Sequence, residues 1–316
     1  MSQQASPSTQ ERYGITRVLQ VWALPRATFY AQRVRRAQPA SGRRGRTPIL
    51  DDAALLVQIR AVIAESPFHG EGHRKMWARL RTLKGVRTSM RRTLRVMREA
   101  ELLAPARQPE PVVEHPHDGT IVTDRPNVMW GTDATAAVTL VDGAATIFAA
   151  IDHCTAECVG IHAAYHGDRF EALEPLRQGV RDHFGGLAPA VAHGLAIRHD
   201  HGSVYLSGDF QAEITFLGMT SSPAFVRQPE GNGCIERFFR TLKEQLLWVR
   251  HFSTIEELRQ ALLAFKERYN QEWLIERLGY RSPAQARHAF ALTSAAGLHS
   301  PRCPLFVRRY SSGRRS

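Results

Sequence analysis

The sequence predicts an α/β protein in which an all-helical, basic N-terminal region precedes a mixed sheet with helices packed on it. Three observations carry this. Residues 1–110 hold 21 Lys and Arg against 8 Asp and Glu, a net of +13, whereas residues 111–316 come to −1. Hydrophobic spacing is helical before Val128 and strand-like after it. The length of 316 residues suits two domains, or one large domain with an appendage, and allows a sizeable core. With 43% hydrophobic and 23% charged residues, the composition excludes wholesale disorder, collagen and coiled-coil rods. The longest apolar run, residues 144–151, is broken by Thr146 and is too short to cross a bilayer. The first residues show no basic stretch leading into an apolar one, so no secretion signal is expected. Four cysteines make no disulfide framework, and a reducing cytoplasm is the expected location.

Residues 1–37 read as a helix-turn-helix-like segment: a helix over 14–20, a turn over 22–25, and a helix over 26–33 opened by Pro25 at N1. Short αα-hairpins share that spacing. Residues 38–50 mix Gly, Pro, Ser and Arg without periodicity and read as a basic linker. Residues 51–104 form a second helical, DNA-binding region, with helices from a cap at Asp51 or Asp52 to Glu65, over 72–81, and over 88–102. On the last helix Met90, Leu94 and Met97 make an apolar stripe, and Arg91, Arg95 and Arg98 a basic one. Such a basic stripe serves either phosphate contacts or a solvated face. Residues 105–127, rich in Pro, read as a linker.

Residues 128–290 form the second domain. Three antiparallel strands are expected over 128–141, 145–151 and 158–164, the first two joined at the hairpin signal of Asp142 and Gly143. A helix over 169–183 closes at Gly185 and Gly186, a short strand spans 195–199, a helix 208–217, and a fifth strand 220–226. A long helix over 232–248 follows, then a closing helix from a capping box of Ser253 and Glu256 to about Tyr269. Residues 291–316 are a basic tail.

Three carboxylates stand out in this second domain. Asp133 lies mid-strand, where a charge opposes β-propensity. Asp200 ends a short strand, the edge at which α/β sheets collect ligands. Glu236 follows it after 35 intervening residues, on a helix whose buried stripe is Ile235, Phe238, Phe239, Leu242 and Leu246. Arg240 and Lys243 share the Glu236 face at i+4 and i+7, so a surface ion pair is the alternative for Glu236 taken alone. Together the three suit hard divalent cations, which prefer oxygen ligands.

These segments resemble the DDE transposases and integrases with a ribonuclease-H-like core, most closely the second-frame protein of the IS-three group of bacterial insertion sequences. The resemblance rests on Trp130-Gly-Thr-Asp133-Ala-Thr135, on Arg198-His-Asp200-His-Gly-Ser-Val-Tyr205, and on Gly231-Asn-Gly-Cys-Ile-Glu236-Arg-Phe-Phe-Arg240-Thr-Leu-Lys243. Tyr269-Asn270, Leu278-Gly-Tyr-Arg-Ser-Pro283 and His69-Gly-Glu-Gly-His-Arg74 add to it. Departures are Ala134, where a bulkier apolar residue is common, and Gly233-Cys234 after the Asn. The resemblance implies a ribonuclease-H-like five-stranded mixed sheet preceded by helix-turn-helix DNA binding. It implies that Asp133, Asp200 and Glu236 are catalytic and bind two Mg²⁺ ions, with Mn²⁺ as a substitute, for cleavage and strand transfer at the terminal repeats of a mobile element. Arg240 and Lys243 would hold terminal phosphates, with Arg74, Lys75, Arg91, Arg95 and Arg98 as further DNA contacts. Element ends and target DNA are the implied partners, with a homo-oligomer on DNA, an upstream-frame helix-turn-helix protein, and no membrane.

Other readings remain. A DNA-binding regulator derived from a transposase shares the basic third but does not need three carboxylates. A ribonuclease-H-type nuclease shares the core but not the N-terminal region. Zinc on His153, Cys154, Cys158 and His162 is disfavoured, because strand alternation sends neighbours to opposite faces.

Overall fold

The computed structural model describes residues 4–37, 50–104, 121–224 and 232–295. The linker residues 38–49 and 105–120, the end of the expected fifth strand at 225–226, Gly231 and the tail from 296 onward lie outside the described residues. Two compact units result, residues 1–51 and 52–316.

The first unit carries α1 (Ile15–Val21) and α2 (Arg26–Ala37). The N–H groups of Trp22 and Leu24 return to the carbonyls of Val18 and Leu19, and Ala23 takes a positive φ of 49°, which makes the turn between them tight.

The second unit begins with α3 (Asp52–Glu65), α4 (His73–Leu83) and α5 (Met90–Glu99), closed around Leu55, Ile59, Met76, Leu80, Val96 and Met97. The rotation of α5 differs from the expected one. Its packed face is Thr93, Val96 and Met97, while Met90 and Leu94 are only half-buried. The cause is long-range: Asp52 accepts from Arg92 Nε at 2.8 Å and Arg95 Nη2 at 2.6 Å, pulling that flank of α5 onto α3. Those two guanidinium groups hold the Asp52 carboxyl below the ordinary range.

A five-stranded mixed sheet follows, in the order β3-β2-β1-β4-β5. Strands β1 (Met129–Thr139), β2 (Gly143–Asp152) and β3 (Cys158–Ala164) form an antiparallel meander, and β4 (Ala196–His199) and β5 (Thr220–Pro223) run parallel to β1. This is the mixed sheet the sequence predicts. Alternation along β2 explains why both faces are covered. Ile147, Ala149 and Ile151 point into one apolar cluster, and Phe148 and Ala150 into the other. The second cluster is closed by α6 (Glu174–Phe184) and α8 (Gly208–Phe216), with a short helix, α7 (Ser203–Leu206), between β4 and α8. Gly185 ends α6 at φ +82°, the left-handed cap expected of it.

The first cluster is closed by α9 (Gly233–Leu242) and α10 (Ile255–Glu272). The long helix expected over 232–248 is α-helical only to Leu242, and then takes a π-helical turn over Lys243–Leu247. The capping box of α10 is one residue later than expected: Thr254 accepts from the Glu257 N–H at 3.2 Å, and Glu257 reaches back to the Ser253 N–H at 2.7 Å. A final helix, α11 (Pro283–Ala295), is additional to the expected elements; Ser282 and Gln285 cap it reciprocally. No helix among the described residues is long and apolar enough to cross a membrane.

The helices α3–α5 pack directly on the sheet region. Phe68 enters the first core cluster and meets Trp273 edge-on at 4.8 Å. Glu71 forms a buried pair with Arg79, whose Nη2 also donates to the Glu272 carbonyl at 3.2 Å. Gln245 clamps the His69 backbone, accepting from its N–H at 2.8 Å and donating to its carbonyl at 2.9 Å.

Candidate active site

Asp133 stands on β1 opposite Ala149 of β2, half-buried, with Oδ1 accepting from the Ala134 N–H at 2.8 Å. Burial raises its pKa to about 6; the carboxylates of Asp200 and Glu236 push the same way, against the pull of the Ala134 N–H and of Lys243. The two more distant carboxylates are therefore close enough to be felt at Asp133.

Asp200 follows β4 directly, and its Oδ1 accepts from the Gly202 N–H at 2.8 Å. The strand end is fixed by His199, which is buried: Nδ1 donates to the Asp200 carbonyl at 2.6 Å, so Nε2 accepts from the Ser221 hydroxyl at 2.8 Å. Burial keeps that imidazole neutral, its pKa lowered. Tyr205 stacks on it at 5.5 Å and meets Phe210 edge-on.

Glu236 is presented from the first turn of α9, where the helix N-terminus favours a negative charge. The buried stripe read from the sequence is the one observed: Ile235, Phe238, Phe239, Leu242 and Leu246 are all buried. Asn232 anchors the start of α9 to β1, its Nδ2 donating to the Thr132 carbonyl at 3.3 Å. Asp133, Ala134, Thr135, Glu236, Phe239, Arg240, Lys243 and Trp248 line one open cleft of about 340 Å³. Trp248 is the lining residue that sequence reasoning missed, because only the π turn brings it round.

Among the described residues no three His, Cys, Asp or Glu side chains are gathered as a ready metal cage. His153, Cys154, Cys158 and His162 serve the fold instead. His153 Nδ1 meets the Ile121 carbonyl at 3.0 Å, His162 pairs with Glu171 at 2.6 Å, and burial pushes the Cys158 thiol up to about 12.

The candidate DNA contacts of the helical region divide. Arg91 and Arg98 are exposed on α5. Arg95 is tied to Asp52 and Glu99, and Arg74 to Glu276. Lys75 sits with its ammonium 2.7 Å from the centre of the Trp273 ring and 3.9 Å from Glu71, a cation enclosed by the core domain. Tyr269 joins the aromatic cluster with Phe238 and Phe265, and Asn270 clamps both backbone groups of Cys158 at 2.9 Å.

Residues 217–283 match the family model described as integrase core domain, and residues 50–110 the HTH-like domain. The chain is 28% identical over 302 residues to the transposase InsD for insertion element IS2A/D/F/H/I/K of Escherichia coli, covering 92% of this chain and 95% of that one. It is 27% identical over 310 residues to the insertion element IS2A uncharacterized 48.2 kDa protein of Escherichia coli, covering 94% and 69%. Among solved structures it is similar to a chain of the simian T-cell lymphotropic virus intasome in complex with PP2A regulatory subunit B56 gamma, at 16% identity, TM-score 0.45, and coverage of 73% and 74%. The HTLV-2 integrase catalytic core domain in complex with magnesium is similar at 18% identity, TM-score 0.39, and coverage of 52% and 98%.

An HTH-like helical region joined to an integrase core defines the class: proteins of DNA transposition and integration. Within it, this chain is similar over most of its length to the InsD transposases of insertion element IS2. The HTH-like match falls on α3–α5.

Proposed function

We propose that the chain is a DDE-type polynucleotidyl transferase that cleaves and joins DNA strands at the ends of its mobile element, with Asp133, Asp200 and Glu236 as its catalytic carboxylates. The observation that supports this most is that Asp133 and Glu236 line one cleft with Arg240 and Lys243, where the charges of Asp200 and Glu236 add to burial in raising the Asp133 pKa. The negative charge that Asp200 and Glu236 add at Asp133 is of the kind a divalent cation relieves.

The donor set is all oxygen and fits Mg²⁺ or Mn²⁺. Two such ions, held by Asp133, Asp200 and Glu236, would supply nucleophile activation and stabilisation of the leaving 3′-oxygen. The chain's own part is positional. The Ala134 N–H fixes the Asp133 carboxylate, His199 fixes the strand end at Asp200, and the Asn232 anchor sets α9 against β1. Arg240 and Lys243, on the same cleft wall, neutralise phosphate oxygens on the bound end. The exposed Arg91 and Arg98 suit contacts to duplex further in, which leaves the division into residues 1–37, 51–104 and 128–290 as separate functional parts our proposal. The working form is a homo-oligomer on DNA, with an upstream-frame protein as a further partner, in the cytoplasm.

The test is incubation of the full chain with duplexes carrying the element's own ends in Mg²⁺ or Mn²⁺. Asp133→Ala, Asp200→Ala and Glu236→Ala should each abolish cleavage and joining while end binding persists, and a double variant should be hardly worse than a single one. Near-normal joining by Asp133→Ala, or equal activity of the unaltered chain in chelator, would sink the proposal.

A further inference from the structure

Trp248 is 70% exposed, on the wall of the cleft that holds Asp133 and Glu236, and it stands outside both core clusters. An indole left in water beside two carboxylates and two cations does nothing for packing. Its position is the product of the π turn. In an unbroken α-helix, at about 100° per residue, 236, 240, 243 and 247 share a face and 248 lies about 120° away from Glu236. The π turn over Lys243–Leu247 adds one residue to the register, and the Trp248 N–H closes it on the Lys243 carbonyl at 2.9 Å. Trp248 thereby takes the place 247 would have had, on the cleft, and Leu247 turns to pack against the core. Single π turns inside helices recur at functional sites.

A nucleotide carries an anion and an aromatic face on one unit, and this cleft wall carries Arg240, Lys243 and an exposed indole. We propose that Trp248 is the stacking platform for an unpaired nucleobase at the DNA end, whose phosphates Arg240 and Lys243 engage; this rests on the transferase reading above. Stacking on an indole tolerates any base, because every base has a π-face. A terminal base is the cheapest to unpair, being stacked on one side only, so the platform would open the end and present its strand to the carboxylates. The neighbouring Val249 is exposed as well, and a second copy of the chain is the competing occupant.

The experiment uses the full chain, Ca²⁺ in place of the catalytic metal, and end duplexes carrying 2-aminopurine at each of the last three positions in turn. At one position the probe should stay dark on the unaltered chain and on Trp248→Phe, and brighten several-fold on Trp248→Ala. End binding should weaken about 10-fold in Trp248→Ala, within a range of roughly 5- to 150-fold. An abasic nucleotide at that position should weaken the unaltered chain to the same degree and leave Trp248→Ala indifferent. Emission and affinity that are the same at every position for the unaltered chain and for Trp248→Ala would overturn the inference. So would a change in oligomeric state in Trp248→Ala that leaves the abasic effect intact, since Trp248 would then be a protein contact. If Asp133→Ala still joins strands in Mg²⁺, it is the transferase reading that fails, whatever Trp248 does.

Discussion

Gly131 lies two residues before Asp133 on β1, and the clearance around it ties the strand to the helix that carries Glu236. A Cβ there would sit 2.7 Å from His153 Nε2 and 2.8 Å from Asn232 Oδ1. Ordinary contact begins near 3.4 Å, so each neighbour must retreat by roughly 0.6 Å. Neither retreats easily. The His153 ring is pinned to the Ile121 carbonyl and its own carbonyl accepts from Arg277, while Asn232 is buried at the head of α9. Overpacking of this kind costs about 1–3 kcal/mol. At roughly 2–4 °C per kcal/mol for a unit of this size, Gly131→Ala should melt about 2–12 °C below the unaltered chain. Asn232 leads into the first turn of α9, so the helix carries part of the shift and moves Glu236 relative to Asp133. Strand joining at about 20 °C, where both chains are folded, should therefore fall by more than about tenfold. Because the strain is shared, Gly131→Ala combined with Asn232→Ala should be less unstable than the two separate losses added together. Thermal unfolding by circular dichroism and a joining assay on the same samples decide it. A variant that melts within a degree of the unaltered chain, or one that is destabilised yet joins normally, refutes the reasoning.

Gln245→Ala removes both hydrogen bonds to the His69 backbone and, since they are partly solvated, should cost about 1–2 kcal/mol in urea unfolding. The sharper readout is hydrogen exchange of the His69 amide, which should lose protection; unaltered protection would show that another group holds it. His183 gives a pH dependence. Burial, and then Arg287, lower its pKa to about 4, against opposing pulls from Asp182 and Asp152, with Lys266 and Glu157 also facing it. Its folded value lies below the unfolded 6.5, so between the two the unfolded chain binds more protons. Its contribution is then complete above pH 6.5 and is lost as pH falls, by about 2 kcal/mol between pH 6.5 and 5. His183→Gln should flatten that part of the pH profile of the urea midpoint, and parallel profiles for the two chains would count against the assignment.

What is legible in the sequence is what local periodicity encodes. The buried stripe of α9 and the turn after it, from Ile235 to Leu246, is read from spacing alone, because five large apolar residues at helical intervals have one solution. The hairpin at Asp142 and Gly143 and the cap at Gly185 follow from turn chemistry in the same way. The π turn is invisible to that reading. It is favoured by tertiary packing that draws both Leu246 and Leu247 to the core, a choice no local rule records. Helix α11 does carry a local signal, since Ser282 and Gln285 have capping-box spacing, but its apolar residues lack the stripe that would have drawn the eye to it. The three carboxylates are found by spacing joined to resemblance; that Asp200 and Glu236 act on Asp133 depends on the fold and on no local pattern.

The basic N-terminal third shows where such reading stops. Net charge counts every cation equally, but a cation serves DNA only if the fold leaves it outward. Asp52 engages Arg92 and Arg95, Glu71 engages Arg79, and Trp273 covers Lys75, so α4 and α5 turn several of their cations inward to hold the helices together and onto the core. Each of these partners lies beyond one helical turn in sequence, and three of the four contacts span different elements. Arg87, Arg91 and Arg98 remain exposed along one end of this helical set. The excess of +13 over residues 1–110 thus overstates what faces phosphate. The same docking that consumes these charges fixes the helical region against the π turn through Gln245 and His69, so whatever DNA those exposed arginines contact is held at a set distance from the cleft.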